Sequence, residues 1–504
     1  MVFRFPGLDR ILSWVDSRPR SGTDPPCAPG DLSRVLAMLS PQGDYFTAGD
    51  AVQNCLITGS IGSGKTTGSG ELLALEYLRA GWGGLVLTTK RSDVSRWLDY
   101  CKMTNRLDSV VIFTPDNGCP YRFNFLEYEH RQGGKGLVDN LASTLFTVFE
   151  VSGRLEQTST SGDAGFFEDN AKDVTYHALA LEIAATGNVS LPNAKRIIES
   201  APRSPEQVKD KEWARNSLCF KRLIQAQERC PDPALLESLA SYWLTFWPGL
   251  GDRTRSSIEA TLFSRLNKLI RGVNAELFNG STSNFVPEMT HHGAVCIVDM
   301  PLKLYGEAGL FAQTILKLFW QKSMERRVIT QDTVPSFLFI DESHLFITSN
   351  DLEFLTTSRE ARAACVFLTQ SRSNYEAMLK GANVKARVDA LLSCFQTKIF
   401  HQCQDTAHNL YASDLIGRVW TPAATYGTSH NPQAQPPSLF SDHPASTSTS
   451  IAEQYRYLVE PREFTQLKKP AADNVDIEAI LFKGGEVFKA TGKPFLKLSF
   501  RQRR

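Results

Sequence analysis

The sequence predicts an α/β fold, a sheet covered by helices with a long helical insertion. Three observations carry this. Short, nearly all-apolar runs alternate with helix-like segments, as strands buried on both faces do. One long stretch, 133–250, has apolar residues at helical spacing and almost no strand signal. A glycine-rich loop follows one of the apolar runs directly.

In chain order, the strand-like runs fall at 54–58, 85–89, 110–114, 294–300, 337–341, 365–369, 396–401, 479–482 and 495–500. The helical stretch shows Val174, Ala178, Leu179 and the run 181–183 at helical spacing. A polar loop at 156–165 and prolines at 202, 205, 231 and 233 punctuate it. Residues 421–450 hold five prolines and the run 445–450 of alanine, serine and threonine, which predicts a flexible loop. In the N-terminal arm, 1–50, Leu8, Ile11, Leu12 and Val15 have the spacing of a short helix. The expected division is an arm at 1–50, a first core part at 51–132, an inserted all-α domain at 133–250 and a second core part at 251–504.

Composition narrows the function classes. Lys plus Arg is 55 and Asp plus Glu is 54, a net charge of +1, which excludes a uniformly basic nucleic-acid coat. Apolar residues are 42% and charged residues 22%, which excludes a wholly disordered chain. No apolar run is long enough to span a bilayer, and Asp9, Arg10 and Asp16 break the N-terminal run that a signal peptide would need. The ten cysteines form no CxxC pair, which fits a reducing compartment and a cytoplasmic location. His401, Cys403 and His408 lie close in sequence but lack two further ligands, so no zinc site is expected.

The loop 59–66 fits G-x-x-x-x-G-K-[ST] in full, between the run Cys55, Leu56, Ile57 and a segment containing Leu72, Leu73, Leu75 and Leu78. Such a loop turns backbone N–H groups toward phosphate oxygens, beside the positive end of a helix. Gly59, Ser60, Gly62, Ser63, Gly64, Lys65, Thr66 and Thr67 are the expected ATP-binding residues. Lys65 reaches the β- and γ-phosphates and the Thr66 hydroxyl serves Mg2+. The run 337–340 ends in Asp341 and Glu342. Carboxylates at a strand's C-terminal end sit where open α/β sheets bind ligands. Asp341 would hold Mg2+ and Glu342 would act as general base. The run 363–369 ends in Gln370, placed to sense the γ-phosphate. Lys65 and Asp341 stand 276 residues apart, more than one compact core needs, so an insertion between them is expected.

These elements together resemble the FtsK/HerA superfamily of ring ATPases, and most of all the TraG/TraD-type coupling proteins of type IV secretion and conjugation. Further stretches carry the likeness. Lys90 is what remains of the family's Asp-Pro-Lys-Gly-Glu stretch. Asn124, Phe125 and Leu126 stand for its Asn-Pro-Leu element. The series Gly165, Phe166, Phe167, Glu168 resembles the opening of its all-α domain, and 256–269 the helix returning to the core. Residues 359–364 resemble the Ala-Arg-Ala-Ala stretch of FtsK-type motors, and 455–464, with Pro461, the closing segment. The resemblance implies a RecA-like P-loop NTPase core and a homo-hexamer that uses ATP and Mg2+ to translocate DNA. It differs from coupling proteins in showing no membrane-spanning segment, so a soluble motor is expected, reaching the inner membrane only through partners.

Ring ATPases complete each site with a neighbour's arginine. Arg359 and Arg362 are the candidates, with Arg255 behind them. Two basic stretches, 252–271 and the residues after Glu486, are candidate phosphate contacts. Two other readings stand beside the DNA motor. One is a HerA-like ATPase assembled with a nuclease or effector in defence or repair. The other is a nucleotide-switched scaffold that recruits a protein substrate.

Overall fold

A computed structural model describes residues 28–116, 119–133, 137–155, 164–280, 283–379, 383–429, 446–471 and 475–502. In chain order its strands are β1 (Val35–Ser40), β2 (Asp44–Thr47), β3 (Cys55–Thr58), β4 (Gly84–Leu87), β5 (Val110–Phe113), β6 (Val295–Val298), β7 (Ser336–Ile340), β8 (Ala363–Thr369), β9 (Thr397–His401), β10 (Arg418–Ser429), β11 (Ser446–Tyr457), β12 (Asp476–Lys483) and β13 (Phe495–Arg501). Nine of them form one sheet in the order β13-β12-β9-β3-β8-β7-β4-β6-β5. The seven strands from β9 to β5 run parallel. β12 pairs antiparallel with β9 and with β13. The nine apolar runs read from the sequence are the nine strands of this sheet.

Burial on both faces explains the uniform apolarity of the central ones. Cys55 and Ile57 of β3, Phe337 and Phe339 of β7, and Ala364, Val366 and Leu368 of β8 face one core, with the helices Ser69–Arg79 and Arg91–Met103. Leu56, Leu338, Ile340, Cys365 and Phe367 face the other, as the two-residue period of a strand requires. Because the central strands are parallel, their C-terminal ends share one edge.

Between β5 and β6 every described element is helical, from Phe125–Gln132 to Gly272–Phe278. The helical region is therefore wider than 133–250. Its longest helix, Ala164–Thr186, lies against the helices Leu191–Glu199, Leu218–Arg229 and Asp252–Ile270. Side chains of this region belong to the same apolar cluster as one face of the sheet, so the two share a core. Prolines open helices here: Pro233 follows Asp232, whose carboxylate accepts from the N–H groups of Ala234 and Leu235.

Three readings need adjustment. The stretch 421–450 was expected to be irregular, but its ends belong to a hairpin in which β10 and β11 pair antiparallel along their whole length. Pro422 is tolerated because both strands of a two-stranded ribbon are edges. At the base Trp420 packs on Tyr455 with ring centroids 5.0 Å apart, and Arg418 lies 4.1 Å over the Tyr457 ring. Residues 430–445 lie outside the described residues. In the arm, 35–47 forms the β1–β2 hairpin, while Leu8, Ile11, Leu12 and Val15 lie outside the described residues. Of the polar loop, 156–163 lies outside them and Ala164 already begins a helix. No helix of the described residues is long and apolar enough to cross a membrane.

Behind the sheet edge, the helix Leu302–Arg326 carries a buried ion pair. Lys317 and Asp351 have side chains 1% and 0% exposed. Lys317 Nζ also donates to the Phe346 carbonyl at 2.6 Å, and Asp351 accepts from Gln321 Nε2 at 2.8 Å and from the Thr348 N–H and hydroxyl. Removing one member strands a buried charge. Lys317→Met is expected to cost about 3 kcal/mol of unfolding free energy, read as a drop in the urea midpoint.

Candidate active site

β3 delivers the glycine-rich loop to the shared C-terminal edge. Gly64 has φ +89°, and a Cβ there would meet the Ile477 side chain at 2.7 Å, so this position needs glycine twice over. Gly62 has φ +73° with open space around it. The Gly68 N–H donates to the Gly64 carbonyl at 2.8 Å and leads into the helix Ser69–Arg79. The neighbouring strands anchor the loop's start: the Gly59 N–H donates to the Gln370 carbonyl at 3.0 Å, and the Ser60 N–H to the Gln402 carbonyl at 2.8 Å.

Lys65 is buried inside this loop. Its Nζ donates to the carbonyls of Gly59 at 2.6 Å and Ser60 at 3.2 Å. Burial pulls its pKa below the ordinary value, and the carboxylates of Glu342 and Asp341 pull back. The Thr66 hydroxyl donates to Asp341 Oδ2 at 3.1 Å. The two residues assigned to Mg2+ from sequence therefore meet in space. A hydroxyl and a carboxylate are hard oxygen donors of the kind Mg2+ takes. Burial, then the neighbouring charges of Glu342 and Asp93, raise the Asp341 pKa, so a cation beside it relieves a real electrostatic cost.

Glu342 follows on the same turn in a left-handed conformation, φ +51° and ψ +49°. Gln370 Nε2 lies 3.5 Å from its Oε1, and His344 Nδ1 lies 3.6 Å from its Oε2. Glu342 Oε2 and Ser63 Oγ are buried with no hydrogen-bond partner among the described residues, so both are polar atoms free to take a partner from a bound nucleotide or its water. β8 lies between β3 and β7, and this puts Gln370 beside both the loop and the acidic pair. Thr67 is half-buried at the start of the following turn.

The arginines lie elsewhere. Arg359 and Arg362 precede β8, at the edge opposite the loop. Arg362 donates to the carbonyls of Gly30 at 2.8 Å, Gln331 at 3.3 Å and Thr333, while Arg359 is exposed. Arg255 is buried in the helical region, donating to the Trp247 carbonyl at 3.2 Å and to Asp252, which makes it a bracing residue. Of the basic stretches, Lys268 pairs with Glu307 at 2.6 Å and Lys497 with Glu478 at 3.1 Å. Lys90 lies close enough to Lys65 to oppose its charge.

Sequence reasoning weighed His401 and His408 only as metal ligands and passed over His344; in the structure these histidines frame the site. His401 Nε2 lies 2.7 Å from Ser69 Oγ, and His408 Nε2 lies 2.8 Å from Thr58 Oγ1. Both sit beneath the loop as buried struts. No group of three or more His, Cys, Asp or Glu side chains gathers in a metal-binding arrangement among the described residues. His344, three residues after Asp341, bonds Thr369 Oγ1 through Nδ1 at 3.0 Å. Its position just past the acidic pair was the available signal.

The family model described as the TraM recognition site of TraD and TraG matches residues 335–469, the span from β7 through the β10–β11 hairpin. No curated protein matches the chain by sequence. Among solved structures the fold is that of a bacterial conjugative coupling protein. Unbound TrwBdeltaN70 superposes with a TM-score of 0.59 at 13% identity, covering 94% of this chain and 90% of that one. The plasmid coupling protein TrwB in complex with ADP and Mg2+ gives 0.58 at 13% identity, with the same 94% and 90%. TrwB with the non-hydrolysable ATP analogue ADPNP gives 0.58 at 13%, with 94% and 91%. The resemblance read from the motifs holds in the fold.

The buried histidines set a pH response. Burial is the main cause that pushes His401 down to about 3, and His344 and His408 to about 4, from an ordinary 6.5. The unfolded chain takes up these protons first as pH falls. Stability from this source is therefore complete above pH 6.5 and drains as pH falls toward 4 and 3, by about 1.4 kcal/mol per pH unit for each proton. Urea midpoints measured between pH 7.5 and 4.5 are expected to fall steeply below 6.5, and His408→Asn to flatten the slope by one proton. A flat profile contradicts the buried, neutral assignment.

Proposed function

We propose that this chain is a Mg2+-dependent ATPase of the coupling-protein type, working as a homo-hexameric ring that moves DNA through a central pore. The carrying observation is the contact between the Thr66 hydroxyl and Asp341, with Glu342 on the same turn and Lys65 behind it. Thr66 and Asp341 would hold Mg2+, which when bound would neutralise the charge that develops on the phosphates. Lys65 exchanges its two loop carbonyls for phosphate oxygens, a stronger, charge-assisted partner. Glu342 takes the proton of the attacking water, and Gln370, within reach of the Glu342 carboxylate, orients that water.

An arginine that acts on a neighbour's phosphates has to stand away from its own site. Arg359 suits this, being exposed at the far edge of β8, whereas Arg362 is spent on backbone carbonyls. The fold likeness to TrwB, seen with ADP and Mg2+, supports ATP and Mg2+ as cofactors. The match of 335–469 to a TraM recognition site supports a partner protein from a conjugation system. The net charge of +1 fits DNA handling in a ring, because each exposed cation facing the pore is repeated by every subunit. Arg253 and Arg271 are exposed members of the basic helical stretch.

The test is ATP turnover with and without DNA, alongside particle mass. DNA is expected to raise turnover of a ring-sized particle. Glu342→Gln is expected to keep nucleotide binding while kcat falls about 100-fold or more, and Arg359→Ala to lower turnover while leaving nucleotide binding intact. A monomer with DNA-indifferent hydrolysis contradicts the motor.

A further inference from the structure

Glu342 is held in a backbone conformation that residues other than glycine adopt only at a cost. It persists where the surroundings fix it, and the fixing contacts lie on the next residues. Ser343 Oγ donates to the Leu368 carbonyl at 2.9 Å and lies 2.5 Å from the Tyr375 hydroxyl. A carbonyl only accepts, so the one Ser343 proton goes to Leu368. Tyr375 is therefore the donor to Ser343. His344 Nδ1 meets Thr369 Oγ1 at 3.0 Å. Leu368 and Thr369 are the last residues of β8, immediately before Gln370. Tyr375 is fully buried at 0% exposure, and Ser343, His344 and Thr369 are buried too.

Tyr375 sits on the helix Arg372–Met378, which touches the other flank of the site as well. Its Arg372 N–H donates to His408 Nδ1 at 3.3 Å, and its Ser373 hydroxyl to Asp405 Oδ2 at 2.6 Å. His408 in turn bonds Thr58 at the root of the glycine-rich loop. One short helix thus braces both the acidic turn and the strand end beside the loop.

We propose that Tyr375 is a positioning residue for hydrolysis: through Ser343 it locks the acidic turn onto the end of β8, so that Glu342 and Gln370 keep a fixed relation. This rests on the ATPase reading above. Burial keeps the Tyr375 phenol protonated, as a donor must be.

Tyr375→Phe is the clean probe, because it removes one donor and leaves Ser343 bonded to Leu368. In the full-length protein it is expected to lower kcat about ten-fold with KM for ATP, nucleotide affinity and melting temperature almost unchanged. Ser343→Ala is expected to lower kcat at least as far. In a Glu342→Gln background, where single-turnover hydrolysis is followed over hours, Tyr375→Phe is expected to add no further loss, because its effect runs through Glu342. An unchanged kcat, an equal loss in both backgrounds, or a rise in KM with a fall in melting temperature each overturns the positioning role. A parent protein that binds ATP and never hydrolyses it overturns the ATPase reading itself, which the unsubstituted protein reveals before any variant is made.

Discussion

One hydrogen bond closes the site: the Thr66 hydroxyl on Asp341, between residues 275 positions apart. It exists because a single strand, β8, separates the loop strand β3 from the acidic strand β7. Adjacent strands lie about 4.8 Å apart, so the loop and the acidic pair emerge roughly 10 Å apart on one edge. That gap is wide enough for a phosphate chain and a hydrated cation, and narrow enough for Thr66 to reach across. The strand in between leads directly into Gln370, which touches both sides through its carbonyl on Gly59 and its amide near Glu342.

The rest of the architecture serves that spacing. The parallel order puts every functional strand end on one edge. Burial on both faces makes the central strands rigid. The buried pair Lys317–Asp351 and the chain Tyr375–Ser343–Leu368 fix the turn after β7 from behind. The helical region adds no strand to the sheet and shares its core, so it interrupts the sequence between β5 and β6 without disturbing the edge. The β10–β11 ribbon leaves the core shortly after the helix Thr406–Ile416, whose N-cap Asp405 also holds Ser373, and Trp420 at its base is 62% exposed.

The central strands β3, β4, β6, β7 and β8 were legible because doubly buried strands are written as unbroken apolar runs, a signal independent of tertiary detail. The loop and acidic pair were legible because their chemistry demands fixed residue types at fixed spacing. The two hairpins were not. β1 pairs residues such as Met38 that face solvent, so no burial pattern marks them. β10 and β11 carry one proline, Pro422, and a run of serines and threonines that composition alone reads as irregular. The supports of the site were hidden for another reason: Tyr375 and His408 reach Ser343 and Thr58 from 32 and 350 residues away; Tyr375 belongs to no spaced pattern, and His408 stood out only as a metal-ligand candidate. Arg255 misled for the same cause, since an arginine buried on a carbonyl reads in sequence like one offered to a neighbour.

The most direct measurement is a structure of the protein with Mg2+ and a non-hydrolysable ATP analogue. The account predicts the cation bound by Thr66 Oγ1, with Asp341 bound directly or through one water. It also predicts Lys65 Nζ moved off the Gly59 carbonyl onto phosphate oxygen, with a water beside Glu342 Oε2. A nucleotide bound with Lys65 still on its loop carbonyls, or a cation held away from Thr66 and Asp341, would contradict it.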